Sequence, residues 1–292
     1  MRRPAETRTA VFFLLPAFAV IFLFHVIPAF YAWYISFFKF DNLSPMIFTG
    51  LSNYARLLKD EMFWKSLFNT FYFAAGTIPL SIIISVFIAV LLNQKIRGLS
   101  FFRTAYFLPV ITSMNAVAMV WLWIFQPDIG LLNYILGFFG VSRINWLMDP
   151  VWAMPAVIMV SVWKNIGYNI IIFLVGLQTI PGEYYEAAQL DGAGDMQTFK
   201  HVTWPLLMPT VFFVTLISLI NSFHTFTQIY MLTPDGGPLK STSVIVFYLY
   251  ENAFKNFDMG YASAISFVVF LITFVLTVLQ NRFWGSKIHY GN

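Results

Sequence analysis

The 292-residue sequence contains no cysteine. Disulfides, thiolate metal sites, iron–sulfur clusters and a cysteine nucleophile are therefore excluded, although the redox compartment is not fixed. The histidines are also few and lack the spacing of a zinc-binding motif; they are His25, His201, His224 and His289. No GxxxxGK[ST] loop is present, so this chain cannot supply an ATP site of that kind.

Charged residues are scarce as well. They make up 10% of the chain, whereas soluble domains carry about 25%. Hydrophobic residues make up 59%, and the mean hydropathy is +0.73. Too few charges remain to cover a water-exposed surface, so the composition predicts an integral membrane protein. The net charge of +4 is small for this length. We interpret it as the excess of lysine and arginine in cytoplasmic loops of a membrane protein, not as a nucleic-acid-binding surface.

Six apolar runs are long enough to cross a bilayer, since a helix of about 20 residues suffices. We predict spans at about residues 9–38, 66–92, 104–125, 151–177, 206–232 and 261–283. The first run is too long for a cleavable signal peptide and no small-x-small site follows it, so we expect a retained anchor. The predicted fold is all-α, a single polytopic membrane domain over residues 1–292.

Lysine and arginine in the short loops predict the orientation. With the N-terminus inside, nine basic residues fall in inner segments and seven in outer loops. The basic N-terminus and the tight loop QKIRGLSFFR between the second and third spans decide the direction more than these totals do. Both termini and the loop 178–205 are therefore predicted to be cytoplasmic.

Two outer loops carry structural signals. Residues 126–150 contain an apolar segment, Leu131–Phe139, that is too short to span and is expected at the interface or in the outer mouth. In the loop 233–258, TPDGGP is a turn by its glycine and proline content.

The inner loop 178–205 concentrates four carboxylates in the stretch EYYEAAQLDGAGD. We predict a first short helix after Pro181-Gly182 that ends at Asp191-Gly192, where glycine suits a left-handed C-cap. A second short helix, Met196–Val202, is predicted to be N-capped by Asp195 and ended by Trp204-Pro205. The local sequence fits a solvated loop and a docking surface equally well.

A spaced motif in this loop has a known counterpart. Glu186-Ala-Ala, three residues, Gly192, nine residues and Val202-x-Trp204-Pro205 resemble the EAA loop of the membrane subunits of binding-protein-dependent ABC importers. The spacing matches in full, while Trp204 replaces the family's leucine. The segments 101–113, 162–188 and 232–238 resemble the carbohydrate-uptake branch, of maltose or glycerol-3-phosphate type. Basic residues before a long first span with LLPAF resemble the first-type permease of such pairs.

The resemblance implies the type I importer permease fold, with six transmembrane helices and a cytoplasmic coupling helix between the fourth and fifth. In the family this helix sits in a cleft of an ATPase, whose ATP-driven closure switches the spans between inward-facing and outward-facing states. Residues implied in coupling are Glu183, Glu186, Ala187, Ala188, Asp191 and Gly192.

The resemblance also implies a set of partners and a location. They are a second, homologous permease, two cytoplasmic ATPase subunits that hold ATP and magnesium, and an extracytoplasmic substrate-binding protein. This chain itself is then expected to bind no cofactor and to be no enzyme. It would lie in the plasma (inner) membrane of a bacterium or archaeon.

Polar side chains within the spans indicate a path for a solute, because lipid offers them no partners. Span five carries a polar stripe within about 160° of arc from Ser218 to Gln228, and Ser161, Lys164, Asn165 and Tyr168 share one face of span four. Interhelical hydrogen bonds explain any one of these residues, whereas the stripes together favour a translocation path. By resemblance to maltose-type permeases, with Asn115 added from span three, the predicted path residues are Met114, Asn115, Ser161, Lys164, Asn165, Tyr168, Ser218, Asn221, Ser222 and Thr225.

Lys164 lies near the middle of its span. It either binds an anionic substrate, such as a phosphorylated polyol, or has a structural role by pairing with a carbonyl or with a partner's carboxylate; the structural role is favoured. A rival reading of the whole chain is a secondary transporter driven by an ion gradient. That reading requires membrane-embedded Asp or Glu, and the predicted spans contain none. A membrane-embedded enzyme is disfavoured for the same reason.

Overall fold

A computed structural model describes residues 4–94 and 98–285. Several basic residues that determine the predicted orientation lie outside the described residues, namely Arg2, Arg3, Lys95, Arg97 and Lys287. The chain forms two compact units, Met1–Glu61 with Tyr248–Leu271, and Met62–Phe247 with Ile272–Asn292. The single domain over 1–292 stays a prediction.

The described residues fold mostly into helices. In chain order these are α1 (Pro4–Ile21), α2 (Ile27–Ile35), α3 (Ser52–Lys59), α4 (Glu61–Leu92), α5 (Leu99–Ile111), α6 (Met114–Ile124), α7 (Leu131–Phe138), α8 (Ala153–Gln178), α9 (Gly182–Leu190), α10 (Asp195–Thr198), α11 (Trp204–Phe223), α12 (Thr227–Leu232), α13 (Ile245–Tyr250) and α14 (Met259–Phe283). Strands β1 (Phe38–Lys39) and β2 (Ile47–Phe48) pair antiparallel.

Five helical stretches in the described part are long and apolar enough to cross a membrane: Val11–Ile35, α4, α8, Asp195–Phe223 and α14. The predicted third span is not one continuous helix, because α5 and α6 meet at a bend of 100°. Thr112 and Ser113 adopt extended backbone at this bend. The Thr112 hydroxyl donates to the Leu108 carbonyl (2.8 Å) and so replaces one lost backbone bond.

The predicted fifth span, 206–232, is also wrong at its C-terminal end, because α11 stops at Phe223. Two side chains form hydrogen bonds with backbone carbonyls in the last turn of this helix. The His224 ring lies 2.8 Å from the Ile220 carbonyl, and the Thr225 hydroxyl donates to the Asn221 carbonyl (3.2 Å). Such local hydrogen bonds offer the backbone an alternative to the helix, so the chain leaves it here and restarts as α12.

The inner loop contains the first predicted helix, α9. Gly192 has a φ of +77°, and the Ala193 N–H donates to the Ala188 carbonyl, which is the expected left-handed C-cap. The second predicted helix differs at its start. The N-cap of α10 is Gly194 and not Asp195, and the Gly194 N–H is bound by the Gln197 side chain (3.1 Å).

The predicted end of that second helix at Trp204-Pro205 is wrong. A π-helical turn, Phe199–Thr203, joins α10 directly to α11. In this wider turn the Trp204 N–H reaches back to the Phe199 carbonyl. Pro205 follows this π-helical turn and the helix continues through it as α11, so proline here does not stop the helix.

The outer loops are built from short elements. The apolar segment of the loop 126–150 forms α7. TPDGGP contains one 3-10 turn, Pro234–Gly236, and its last residue begins a second, Pro238–Lys240.

In the first unit, a carboxylate joins two distant segments that the sequence analysis did not connect. Asp60 accepts hydrogen bonds from the Tyr248 and Tyr261 hydroxyls. Arg56 pairs with Asp258 (2.6 Å) and lies over the Tyr261 ring, 3.9 Å from its centre. Burial and the Asp60 carboxylate together raise the pKa of Tyr248 to about 12, which favours the protonated phenol that donates to Asp60.

In the second unit, α8 packs against α5 and α11. The approach to α5 is closest at Gly167, where a Cβ would lie 2.0 Å from the carbonyl oxygen of Tyr106. Only glycine permits this contact, since a backbone carbonyl cannot rotate away. Small residues at helix crossings are a general means of close packing in membranes.

Gly167→Ala should therefore lower the free energy of unfolding by about 1–3 kcal/mol, the usual range for an overpacked core. The measurement is the thermal unfolding midpoint of the purified protein in detergent. Gly137→Ala is the matched control, because Gly137 also lies in a helix and a Cβ there meets no atom within 4 Å. A Gly167→Ala protein as stable as the control would contradict the close α5–α8 contact.

Candidate functional site

A cavity of about 300 Å³ lies inside the second unit. Four helices and the segment after α11 surround it. Eleven of the fifteen residues that line it in the described part of the chain are polar, and none of them is acidic. The lining residues are Phe73, Thr77, Ile78 and Ser81 from α4, Val110 from α5, Lys164, Asn165, Tyr168 and Asn169 from α8, and Ile217, Ser218, Asn221, Ser222, Thr225 and Gln228 from α11 onward.

Seven of the predicted path residues meet at this cavity: Lys164, Asn165, Tyr168, Ser218, Asn221, Ser222 and Thr225. Met114, Asn115 and Ser161 do not line it. Met114 and Asn115 follow the bend into α6, and Met114 packs against the hydrophobic core. Ser161 is buried on α8, one turn before the lining residues.

The cavity wall on α8 follows the helical spacing of the sequence. Lys164, Asn165 and Tyr168 lie at i, i+1 and i+4, and Asn169 continues the same face. Two of these side chains are amides, which both donate and accept hydrogen bonds, and one is a phenol. This wall can therefore meet hydroxyl groups of a solute, whichever way each hydroxyl points.

The ammonium of Lys164 is held by the chain itself. Its Nζ donates to the carbonyl oxygens of Pro109 (3.0 Å) and Thr112 (2.7 Å), which lie at the C-terminal end of α5. A cation complements the negative end of a helix, and hydrogen bonds from a charged donor are stronger than neutral ones. Lys164 thus stabilises the bend between α5 and α6, and pairing with a carbonyl is confirmed within this chain. An ammonium has three N–H donors, so one remains for the cavity.

The path residues predicted on span five still line the cavity, but the backbone that carries them differs from the prediction. The sequence prediction assumed a regular helix through Gln228, but the helix ends at Phe223. Thr225 and Gln228 still reach the cavity from the irregular segment and α12. His224 does not line it, and its exposed side chain lies against the Ile220 carbonyl.

Residues of α4 also line the cavity, and the sequence did not lead us to predict any of them. Thr77 and Ser81 line the cavity, together with Phe73 and Ile78. The predicted path residues came only from spans three, four and five. A signal was nevertheless present, because hydroxyl residues recur on one face of this span at positions 66, 70, 77, 81 and 85.

The inner loop exposes most of the predicted coupling residues. Glu183, Glu186, Ala187, Asp191 and Gly192 are exposed. Ala188 is only 9% exposed and faces its own chain, so its small side chain serves the packing of α9. The Tyr185 hydroxyl accepts a hydrogen bond from the Thr203 hydroxyl (3.4 Å), which links α9 to the start of span five.

A family model described as "Binding-protein-dependent transport system inner membrane component" matches residues 64–284. The chain belongs to this family. The permease is 39% identical to the probable ABC transporter permease protein YurN of Bacillus subtilis (strain 168), over 94% of this chain and 95% of the relative. It is 32% identical to the sn-glycerol-3-phosphate transport system permease protein UgpA of Yersinia pestis bv. Antiqua (strain Antiqua), over 98% and 93% of the two chains.

Solved structures show the same fold. A chain in the crystal structure of a bacterial ABC transporter involved in the import of the acidic polysaccharide alginate matches with a TM-score of 0.84 at 22% identity, over 98% of each chain. A second structure of a bacterial alginate transporter, in complex with an alginate pentasaccharide-bound periplasmic protein, matches with a TM-score of 0.82 at 21% identity, over 95% and 94%. The predicted all-α importer permease fold is confirmed.

These findings identify the permease as a membrane component of an ABC importer. It is a transport subunit and not an enzyme. They support the importer reading of the sequence and not the carrier driven by an ion gradient.

Lys164→Met should destabilise the permease, because it leaves the Pro109 and Thr112 carbonyls at the α5 end without their donor. Hydrogen bonds to charged groups contribute about 1.5–3 kcal/mol, so a loss of this size is expected in the free energy of unfolding. Thermal unfolding in detergent measures it. Lys164→Arg, which keeps the charge and the donors, should recover part of the stability; equal midpoints for the Lys164→Met variant and the wild-type protein would refute the capping role.

Proposed function

We propose that this permease forms part of the translocation path of an ATP-driven importer for a sugar or a related polyol. The observation that carries the proposal is the lining of the cavity. Asn165, Asn169 and Asn221 supply amides, and Ser218 and Thr225 supply hydroxyls. Such groups pair with the hydroxyls of a carbohydrate, while the ring of Tyr168 offers a face for its C–H surface.

The relatives support a polyol as substrate. UgpA, whose name refers to sn-glycerol-3-phosphate transport, aligns with nearly the whole chain. The free N–H donor of Lys164 can meet an oxygen of a neutral or a phosphorylated polyol. Among the described residues none with an acidic side chain lines the cavity, which favours either of these over a cationic substrate.

The importer needs partners that this chain does not contain. Two cytoplasmic ATPase subunits would bind ATP and magnesium, since the sequence has no phosphate-binding loop of its own. A second, homologous permease would complete the path. An extracytoplasmic binding protein would deliver the substrate, in keeping with the description of the family. Its docking surface would include the outer loops 126–150 and 233–258.

The loop 178–205 would be the contact with the ATPase, on the cytoplasmic side together with both termini. Support comes from the exposed acids Glu183 and Glu186 on α9 and from the exposed apolar side chains Leu190 and Met196 that follow. Since α10 continues into α11, a movement of the loop would be transmitted directly to a wall of the cavity.

Glu186→Lys should abolish uptake, with a loss of at least about tenfold, because reversing a charge at a close protein contact costs several kcal/mol. Membrane insertion should remain normal. The measurements are ATP-dependent uptake of the importer's substrate and co-purification of the ATPase with the permease.

Asp195→Lys is the control for that variant, since it makes the same change of charge at an exposed position of the same loop outside the coupling residues. It should retain most of the uptake. Normal ATPase co-purification and normal uptake in Glu186→Lys would rule out the coupling assignment.

A further inference from the structure

One face of α4 carries a row of hydroxyl side chains. Successive members are separated by four or seven residues, so they lie above one another along the helix. All are buried, with at most 5% of each residue exposed. They are Ser66, Thr70, Thr77, Ser81 and Ser85.

The outer and inner members of the row are paired with the protein. The Ser66 hydroxyl lies 3.3 Å from that of Ser243. The Thr70 hydroxyl donates to the Ser66 carbonyl (2.8 Å). At the other end, the Ser85 hydroxyl donates to the Ile166 carbonyl (3.3 Å). Pairing of this kind is the usual role of serine and threonine in membrane helices.

The two central members differ from the rest. The hydroxyls of Thr77 and Ser81 are buried and have no hydrogen-bond partner among the described residues. Both residues line the cavity. Neither hydroxyl bonds back to its own helix, as that of Thr70 does. An unpaired buried hydroxyl is costly, and in native proteins it calls for a specific explanation.

We propose that Thr77 and Ser81 contact the substrate, and that α4 thereby supplies a specificity-determining wall of the path. Each hydroxyl would hydrogen-bond an oxygen of the passing solute. Four residues along a helix span about 6 Å, so the solute must present two oxygens at roughly that separation, as a sugar ring or a polyol chain does. The identity of the solute as a polyol rests on the proposed function.

Hydration is the alternative explanation, in which the two hydroxyls bind only water. The explanations differ in their consequence for selectivity. If a hydroxyl binds the substrate, its removal weakens the interaction with the substrate and slows transport. If it binds only water, its removal leaves transport unchanged.

The first experiment uses the whole importer in proteoliposomes with ATP, with labelled maltose and labelled glycerol 3-phosphate as probes. The double variant Thr77→Val with Ser81→Ala should reduce uptake of the transported probe by about tenfold, as expected for two lost hydrogen bonds. Its thermal unfolding midpoint should stay the same or rise, since it removes unpaired buried hydroxyls.

Ser85→Ala is the matched control, because Ser85 is on the same face and equally buried, but its hydroxyl is paired with the protein. It should transport within twofold of wild type and unfold at a lower temperature. Equal uptake by the double variant and wild type would overturn the proposal. If wild type transports neither probe, the second experiment decides whether α4 faces the path.

The second experiment does not depend on the identity of the substrate. Since the chain has no cysteine, Ser81→Cys introduces a unique thiol into the permease. In the assembled importer it should react with the water-soluble reagent 2-aminoethyl methanethiosulfonate, whereas Ser85→Cys should not. A Ser81→Cys thiol that is unreactive both with and without ATP would show that α4 does not face the path.

Discussion

Hydrocarbon offers no hydrogen-bond partners, and this constraint accounts for most of the structure. A helix satisfies its backbone internally, so the chain crosses the apolar region as helices. At two departures from the helix, side chains of the protein bind the backbone carbonyls. The bend after α5 is held by the Lys164 ammonium and the Thr112 hydroxyl, and the end of α11 by side chains of His224 and Thr225. Four buried hydroxyls have no hydrogen-bond partner among the described residues, and of these only Thr77 and Ser81 line the cavity.

The same constraint decides what the sequence could predict. Long apolar runs reveal the spans, because lipid requires about 20 apolar residues in a row. The length of an apolar run does not show where a helix ends within a span. The polar residues Thr112-Ser113 and His224-Thr225 do not interrupt the apolar runs, and the structure is needed to show that the helix stops there.

The candidate site was predictable where one helix carried several polar residues. Amides and a lysine on α8 are conspicuous in a membrane span, so Lys164, Asn165 and Tyr168 were predicted and do line the cavity. Single hydroxyls are less conspicuous, because most of them serve packing. Thr77 and Ser81 resemble Thr70 and Ser85 in sequence, and only the three-dimensional partners separate them. Met114 was placed on the path by resemblance, whereas the bend directs it to the core.

The central claim is that ATP drives a polyol through a path formed in part by this permease. The most direct measurement is uptake of a labelled polyol by the reconstituted importer, with ATP and an imposed proton gradient supplied separately. The account predicts uptake that requires ATP and persists when a protonophore removes the gradient. Uptake that continues without ATP and collapses with the protonophore would contradict it.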